Sequence, residues 1–215
     1  MKSIIGVVNP KGGVSKTTIS VHLAHAAWME GDDVALVDTD PQGSVLDWLR
    51  SRTDEEERPT DEEEGPTVVH EDDPALLPRK VQNLSQDIVI LDAPAQLQEM
   101  TGQILSLSDL CLVPLEPSPL DIWGTEEFRA LLEEEVSKET TVALVVARRD
   151  PRSTLGGELF SLAEDSPFEI LDGVCQRVAY KRSMAEGETV LEGNDAKAKN
   201  EVRELLMDVA QLLSQ

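Results

Sequence analysis

Aromatic side chains are scarce in this chain, at 3% of 215 residues, so its core must be assembled from Val, Ile, Leu and Ala. Such residues are what strands buried on both faces normally carry, which favours a layered α/β arrangement. Cysteine is nearly absent as well. Cys111 lies inside the apolar run LCLVPL and Cys175 in an isolated GVCQ. That spacing excludes a disulfide framework or a thiolate metal site and leaves two reduced thiols in a cytosol. No run reaches about 18 apolar residues, and the first eight are too short for a secretory signal before Asn9 and Pro10, so a soluble protein is expected. Basic residues are few: 19 Lys and Arg stand against 42 Asp and Glu, a formal charge of −23. A charge of that sign excludes nucleic-acid binding over a broad surface, and any phosphate contact must come from a local basic patch.

What is present is an alternation of apolar runs and helical patterns. SIIGVV at 3–8 reads as a buried strand ended by Asn-Pro and a glycine pair. From Lys16 to about Glu30, Ile19, Leu23, Ala26 and Ala27 recur at helical spacing, with Gly31 as the stop. DVALVD at 33–38 makes a second strand, followed by a short helix around Val45 to Arg50. An acidic surface loop at about 52–66 holds eight carboxylates within eleven residues and leads to a strand TVVH at 67–70. Then come a strand in QDIVILDAP, a helix from about Leu97 to Leu105, a strand DLCLVPL at 109–115 and a helix from Asp121 to Val136. A strand at 141–147, a helix near Leu155 to Ala163, a strand at 168–171 and a last helix from Asp195 to Leu213 complete the order. Regular alternation of this kind implies right-handed crossovers, a mostly parallel sheet flanked by helices, and one domain over 1–215. His22 and His25 have no metal-spaced partners and read as surface or packing residues. Trp28, Trp48 and Trp123 read as core anchors.

Three motifs carry chemistry. In NPKGGVSKTT the strand, loop and helix order sets Lys16, Thr17 and Thr18 at a helix N-terminus, where free N–H groups and the macrodipole favour an anion. The backbone from Gly12 and Gly13 through Val14 and Ser15 would curl around phosphates, Lys16 would neutralise their oxygens, and Thr17 would ligate Mg²⁺. VDTDPQGS at 37–44 sets Asp38 and Asp40 at the end of the second strand, on the crevice where α/β sheets bind ligands. IVILDAP at 88–94 ends an apolar strand in Asp92, where P-loop proteins anchor Mg²⁺.

These residues resemble the ParA/MinD family of ATPases with the deviant phosphate loop KGGxGK[ST][ST]. Here the loop reads Lys11-Gly12-Gly13-Val14-Ser15-Lys16-Thr17-Thr18, with Ser15 where the family has Gly. The likeness extends through PLEPSPLDIWG at 114–124 to GETVLEGNDAKAKNEVRELL and is nearest the short, ParF-like members. It implies a P-loop three-layer sandwich, a weak Mg²⁺-dependent ATPase, and a homodimer that forms on ATP, with Lys11 reaching the partner's nucleotide. In the same likeness Asp40 orients the attacking water, Asp38 lies near the Mg²⁺ shell, and Asp92 anchors the ion. It further implies nonspecific DNA binding on the nucleoid, release by a ParB-like or cargo-adaptor protein, and segregation of a plasmid or chromosome or positioning of a carboxysome-like body.

ParA-like folds suggest that Arg148 and Arg149 lie near the adenine, unless they are a solvated pair. Arg177, Lys181 and Arg182 in QRVAYKRS are the DNA-contact candidates. The alternative pairs them with the eleven acids between 148 and 203. The loop begins within ten residues of Met1, which leaves no helix-turn-helix ahead of it, so specific operator binding is not expected. The tail EVRELLMDVAQLLSQ has one Arg against three acids, unlike the basic membrane helix of MinD-like proteins, so no membrane partner is expected. Two other readings stay open. One is a metabolic enzyme of the same fold; the other is an ATP-binding scaffold that does not hydrolyse, suggested by Ser15.

Overall fold

The computed structural model describes residues 2–52, 65–95, 98–117, 140–150 and 168–214, together with Leu132, Val136 and Ser137. Most of the acidic segment, Trp123, all but Leu132 and Val136 of the helix expected at 121–136, and the helix expected at 155–163 lie outside the described residues.

The strands are β1 (Ser3–Val7), β2 (Val34–Asp38), β3 (Thr67–His70), β4 (Ile88–Asp92), β5 (Leu110–Leu115), β6 (Thr141–Val146) and β7 (Glu169–Asp172). They form one seven-stranded sheet in the order β3-β2-β4-β1-β5-β6-β7. Every neighbouring pair is parallel. The helices are α1 (Lys16–Met29), α2 (Ser44–Arg52), α3 (Leu77–Asn83), α4 (Gln98–Leu107), α5 (Val178–Ala185) and α6 (Ala196–Leu213).

Alternation of side chains along the strands divides the core in two. On one face Ile5, Val7, Leu36, Ile90 and Leu112 pack with Ile19 and Leu23 of α1 and Val202, Leu205 and Val209 of α6. On the other, Val37, Leu91 and Cys111 pack with Leu77 and Val81 of α3 and Met100 and Ile104 of α4. The result is the expected sandwich of helices, sheet and helices. α1 is buried from Ile19 to Ala27 without interruption, because α2 and α6 flank it. His22 and His25 are therefore packing residues, only 1% and 2% exposed. Of the tryptophans, Trp48 is buried and donates from Nε1 to the Glu188 carbonyl at 3.0 Å, while Trp28 is partly buried.

The last helix begins as its sequence suggests. Asp195 is the N-cap, and its Oδ1 accepts from the N–H groups of Lys197 and Ala198 at 3.1 Å each, a cap worth about 1 kcal/mol. Val202, Leu205, Val209 and Leu212 are buried, whereas Leu206 and Leu213 are only partly so. Its apolar stripe thus packs on the sheet, and no described helix is long and apolar enough to cross a membrane.

Candidate functional site

The register of the sheet sets the chemistry. Asp38 at the end of β2 pairs with Asp92 at the end of β4, and Asp92 pairs with Val7 at the end of β1. Both carboxylates therefore stand beside the point where β1 gives way to the glycine loop. α1 then starts at Lys16, and the first-turn N–H groups of a helix have no intrahelical acceptor. The loop is held from within by Asn9, whose Oδ1 accepts from the Lys11 N–H at 2.8 Å and whose Nδ2 donates to the Pro114 carbonyl at 2.7 Å. Lys16 is 7% exposed, and its Nζ donates to the carbonyls of Asn9 and Lys11 at 2.9 and 3.0 Å. Burial lowers its pKa, with Asp92 and Asp40 opposing.

Ser15 occupies a position that normally calls for glycine. Its φ is +75°, in the left-handed region, two residues after Gly13 at +78°. The loop keeps a glycine-like path at that residue, at a cost in backbone strain of order 1 kcal/mol.

The structure supports a cation site that combines hydroxyl and carboxylate. Thr17 Oγ1 donates to Asp92 Oδ2 at 2.7 Å, and Ser20 Oγ donates to Asp92 Oδ1 at 2.8 Å. Asp92 is fully buried, and burial pushes its carboxyl up to about 7 against those two hydrogen bonds. A divalent ion beside it would favour the charged form. Among the described residues no three His, Cys, Asp or Glu side chains come together as a self-sufficient metal cage. One hydroxyl and one carboxylate instead suit Mg²⁺, which takes its remaining ligands from phosphate oxygens and water.

Asp38 is also fully buried, with its pKa raised by burial. Its Oδ1 accepts from the Asp40 N–H at 3.1 Å, and its Oδ2 from those of Val45 and Leu46 at 2.9 and 3.3 Å. It thus organises the Asp40 turn and the start of α2 while standing next to Asp92. Asp40 lines the pocket, and its Oδ1 accepts from the Gln42 N–H at 2.9 Å.

The pocket itself is about 520 Å³ and runs from Gly12, Gly13 and Ser15 through Thr18 to a wall made by Val174, Cys175 and α5. Arg148 lines it, donating from one guanidinium nitrogen to the Gly13 carbonyl at 3.0 Å and to Glu116 Oε1 at 2.7 Å. Arg149 departs from the expectation. It pairs with Asp172 at 3.5 Å and is not part of the pocket lining, while its backbone forms a parallel bridge with Cys175.

Arg177 also departs from it. Its guanidinium is held by Glu201 Oε1 at 2.6 and 2.8 Å and is only 18% exposed, so its charge is neutralised inside the protein. Lys181 and Arg182 are exposed on α5, and Arg182 Nε donates to Glu186 Oε1 at 3.0 Å. Sequence reasoning missed Asn9, Ser20, Glu116 and Glu201. Only Ser20 had a local signal, one helical turn beyond Lys16 on the same face.

A parallel sheet with a phosphate loop after its central strand, and a buried carboxylate on the neighbouring strand reaching the loop's threonine, defines a P-loop nucleotide-binding protein. The family model described as CobQ/CobB/MinD/ParA nucleotide binding domain matches residues 5–190, and the chain belongs to that family. A relative named "Maintenance of carboxysome distribution protein A", from Halothiobacillus neapolitanus, is 29% identical over 218 residues, covering 95% of each chain. Among solved structures, a plasmid partition protein of Borrelia burgdorferi B31 bound to AMPPNP superposes with a TM-score of 0.79 at 16% identity, over 98% of this chain and 99% of that one. The septum site-determining protein MinD of Pyrococcus horikoshii, complexed with Mg-ADP, gives 0.73 at 19% identity, over 99% and 97%. At those identities the structural likeness speaks for the fold.

Proposed function

We propose that the chain is an ATP-switched positioning ATPase. It binds ATP with Mg²⁺, dimerises on the nucleotide, holds nonspecific DNA of the nucleoid, and is released when a ParB-like or cargo-adaptor partner stimulates hydrolysis. The observation that carries this reading is the gathering of the Gly12–Gly13 backbone, Lys16, Thr17 and Asp40 around one pocket, with Asp92 directly behind Thr17.

In that pocket Lys16 and the first N–H groups of α1 neutralise and orient the phosphates. Thr17 and Asp92 would hold Mg²⁺, which would supply charge neutralisation for the phosphates. Asp40, at the rim on its own turn, orients the attacking water, and buried Asp38 fixes that turn. Lys11 sits on the exposed tip of the loop, where it can reach a second subunit. Ser15 favours binding rather than loss of it, since its left-handed φ keeps the loop on a glycine-like path.

The name of the Halothiobacillus relative supports a protein body such as a carboxysome as cargo, and the partition protein of Borrelia supports DNA. For the DNA surface, Lys181 and Arg182 on α5 are the residues proposed, and Arg177 is withdrawn from that role.

The test is ATP-dependent retention on nonspecific duplex DNA at rising salt. Binding should appear only with ATP, weaken steeply with salt, and fall in the Lys181→Ala/Arg182→Ala variant. Retention without nucleotide, or indifferent to salt, contradicts the reading.

A further inference from the structure

One wall of the pocket is built on a carboxylate that does not itself line it. α5 has Arg177 as its N-cap in an extended conformation, φ −123° and ψ 145°, with no side-chain cap of its own. Its entry is fixed instead by Glu201 of α6. Glu201 Oε1 accepts both hydrogen bonds from Arg177, at 2.6 and 2.8 Å. Glu201 Oε2 accepts the Cys175 N–H at 3.1 Å and the Tyr180 hydroxyl at 3.0 Å, with the Ala198 carbonyl at 3.2 Å from that hydroxyl. Cys175, Arg177 and Tyr180 all line the pocket, and Glu201 does not.

Four donors thus meet on one side chain that belongs to a different element. Burial works against the Glu201 charge, but Arg177, Cys175 and Tyr180 outweigh it and hold the carboxyl below the ordinary Glu value. The same burial, together with the carboxylate, pushes the Cys175 thiol up to about 11, so the thiol is neutral in this wall.

The phosphate loop lines the same pocket as Val174, Cys175 and Tyr180, so a nucleotide anchored at the loop by its phosphates can lay its ribose and base against those residues. We propose that Glu201 is the positioning residue for the nucleoside end of this pocket, setting the wall through Cys175, Arg177 and Tyr180 without touching the ligand. This rests on the ATP reading above.

The physical consequence is a split. Exchanging the carboxylate for an amide leaves one oxygen where four donors met two and turns an NH2 toward Arg177 or toward the Cys175 N–H, which frees α5 to shift, while Asn9, Lys16 and Asp92 still hold the phosphate loop. Contacts to the nucleoside should weaken while contacts to phosphate persist.

The experiment compares two probes, ATP·Mg²⁺ and inorganic tripolyphosphate·Mg²⁺, on the full chain by calorimetry. Wild-type binding of ATP tests the underlying reading, and if ATP does not bind, both fall. With ATP bound by the wild type, Glu201→Gln should weaken ATP about tenfold and change tripolyphosphate by less than about twofold, with kcat at saturating ATP nearly unchanged. Equal loss for both probes, or no loss for either, overturns the assignment. Should Glu201→Gln fail to fold, Tyr180→Phe removes a single hydroxyl and must move the same ratio in the same direction; an unmoved ratio overturns it equally.

Discussion

Thr17 Oγ1 lies 2.7 Å from Asp92 Oδ2, joining the first turn of the phosphate-loop helix to β4, the strand beside the sheet's middle strand, while Ser20 occupies the other carboxylate oxygen. A carboxylate with no exposed surface is costly to ionise, and burial pushes its pKa up to about 7. Asp92→Asn keeps the shape, and both hydroxyls can turn to suit an amide. The variant should therefore be at least as thermally stable as the wild type at pH 8 without ligand, and should lose the Mg²⁺-dependent part of its ATP affinity. Calorimetry with and without EDTA checks both. A variant that unfolds, or that keeps full Mg²⁺ dependence, contradicts the site.

Ser15 stores strain in the loop that the function needs most. Glycine removes a left-handed penalty of about 1 kcal/mol but adds freedom to the unfolded chain that offsets about half of it, so Ser15→Gly should stabilise the protein by about 0.5 kcal/mol, or about 1.5 °C in melting temperature. ATP affinity should change by no more than a few-fold, because the backbone path is already that of a glycine. A variant that melts no higher, or that binds ATP where the wild type does not, refutes this account of Ser15.

His22 gives the protein an acid-sensitive joint behind the phosphate loop. Its Nδ1 donates to the Thr18 carbonyl at 2.7 Å and its Nε2 accepts the Val190 N–H at 3.1 Å, a pairing that only the neutral ring can make. Burial lowers its pKa to about 4 from the ordinary 6.5, with the Thr18 bond opposing. Below pH 6.5 the unfolded chain takes up a proton that the folded chain refuses. The stabilisation is thus intact above 6.5 and is lost as pH falls toward 4, by about 3 kcal/mol. His22→Gln removes this titration. The unfolding free energy of the wild type relative to that variant should drop across this window, and the His22 ring resonance should titrate near 4. A midpoint near 6.5, or a difference that is flat with pH, is inconsistent with the buried neutral ring.

The strands were legible because each is an apolar run of strand length closed by turn residues, and even TVVH at 67–70 occupies the positions its pattern suggested. The phosphate loop and both strand-end aspartates were legible for a similar reason, since their function depends on local spacing. α3 was not. It offers only Leu77 and Val81 as an apolar pair and begins with a proline in its first turn. α5 was hidden by a first turn whose Val178 is 81% exposed and whose buried face is Tyr180 and Ser183. The ion pairs of Arg149 and Arg177 share a cause. Each is paired with an acid brought close by the sheet or by α6, Asp172 for one and Glu201 for the other, and no local spacing announces a partner 23 or 24 residues away.

The central claim is that two copies of this chain close on ATP through the loop that carries Lys11. Sedimentation of the Asp40→Ala variant, in which hydrolysis should stall, measures it most directly. With saturating ATP and Mg²⁺ it should run at twice the monomer mass, and adding Lys11→Ala should return it to one. A protein that binds ATP and stays monomeric under those conditions contradicts the switch.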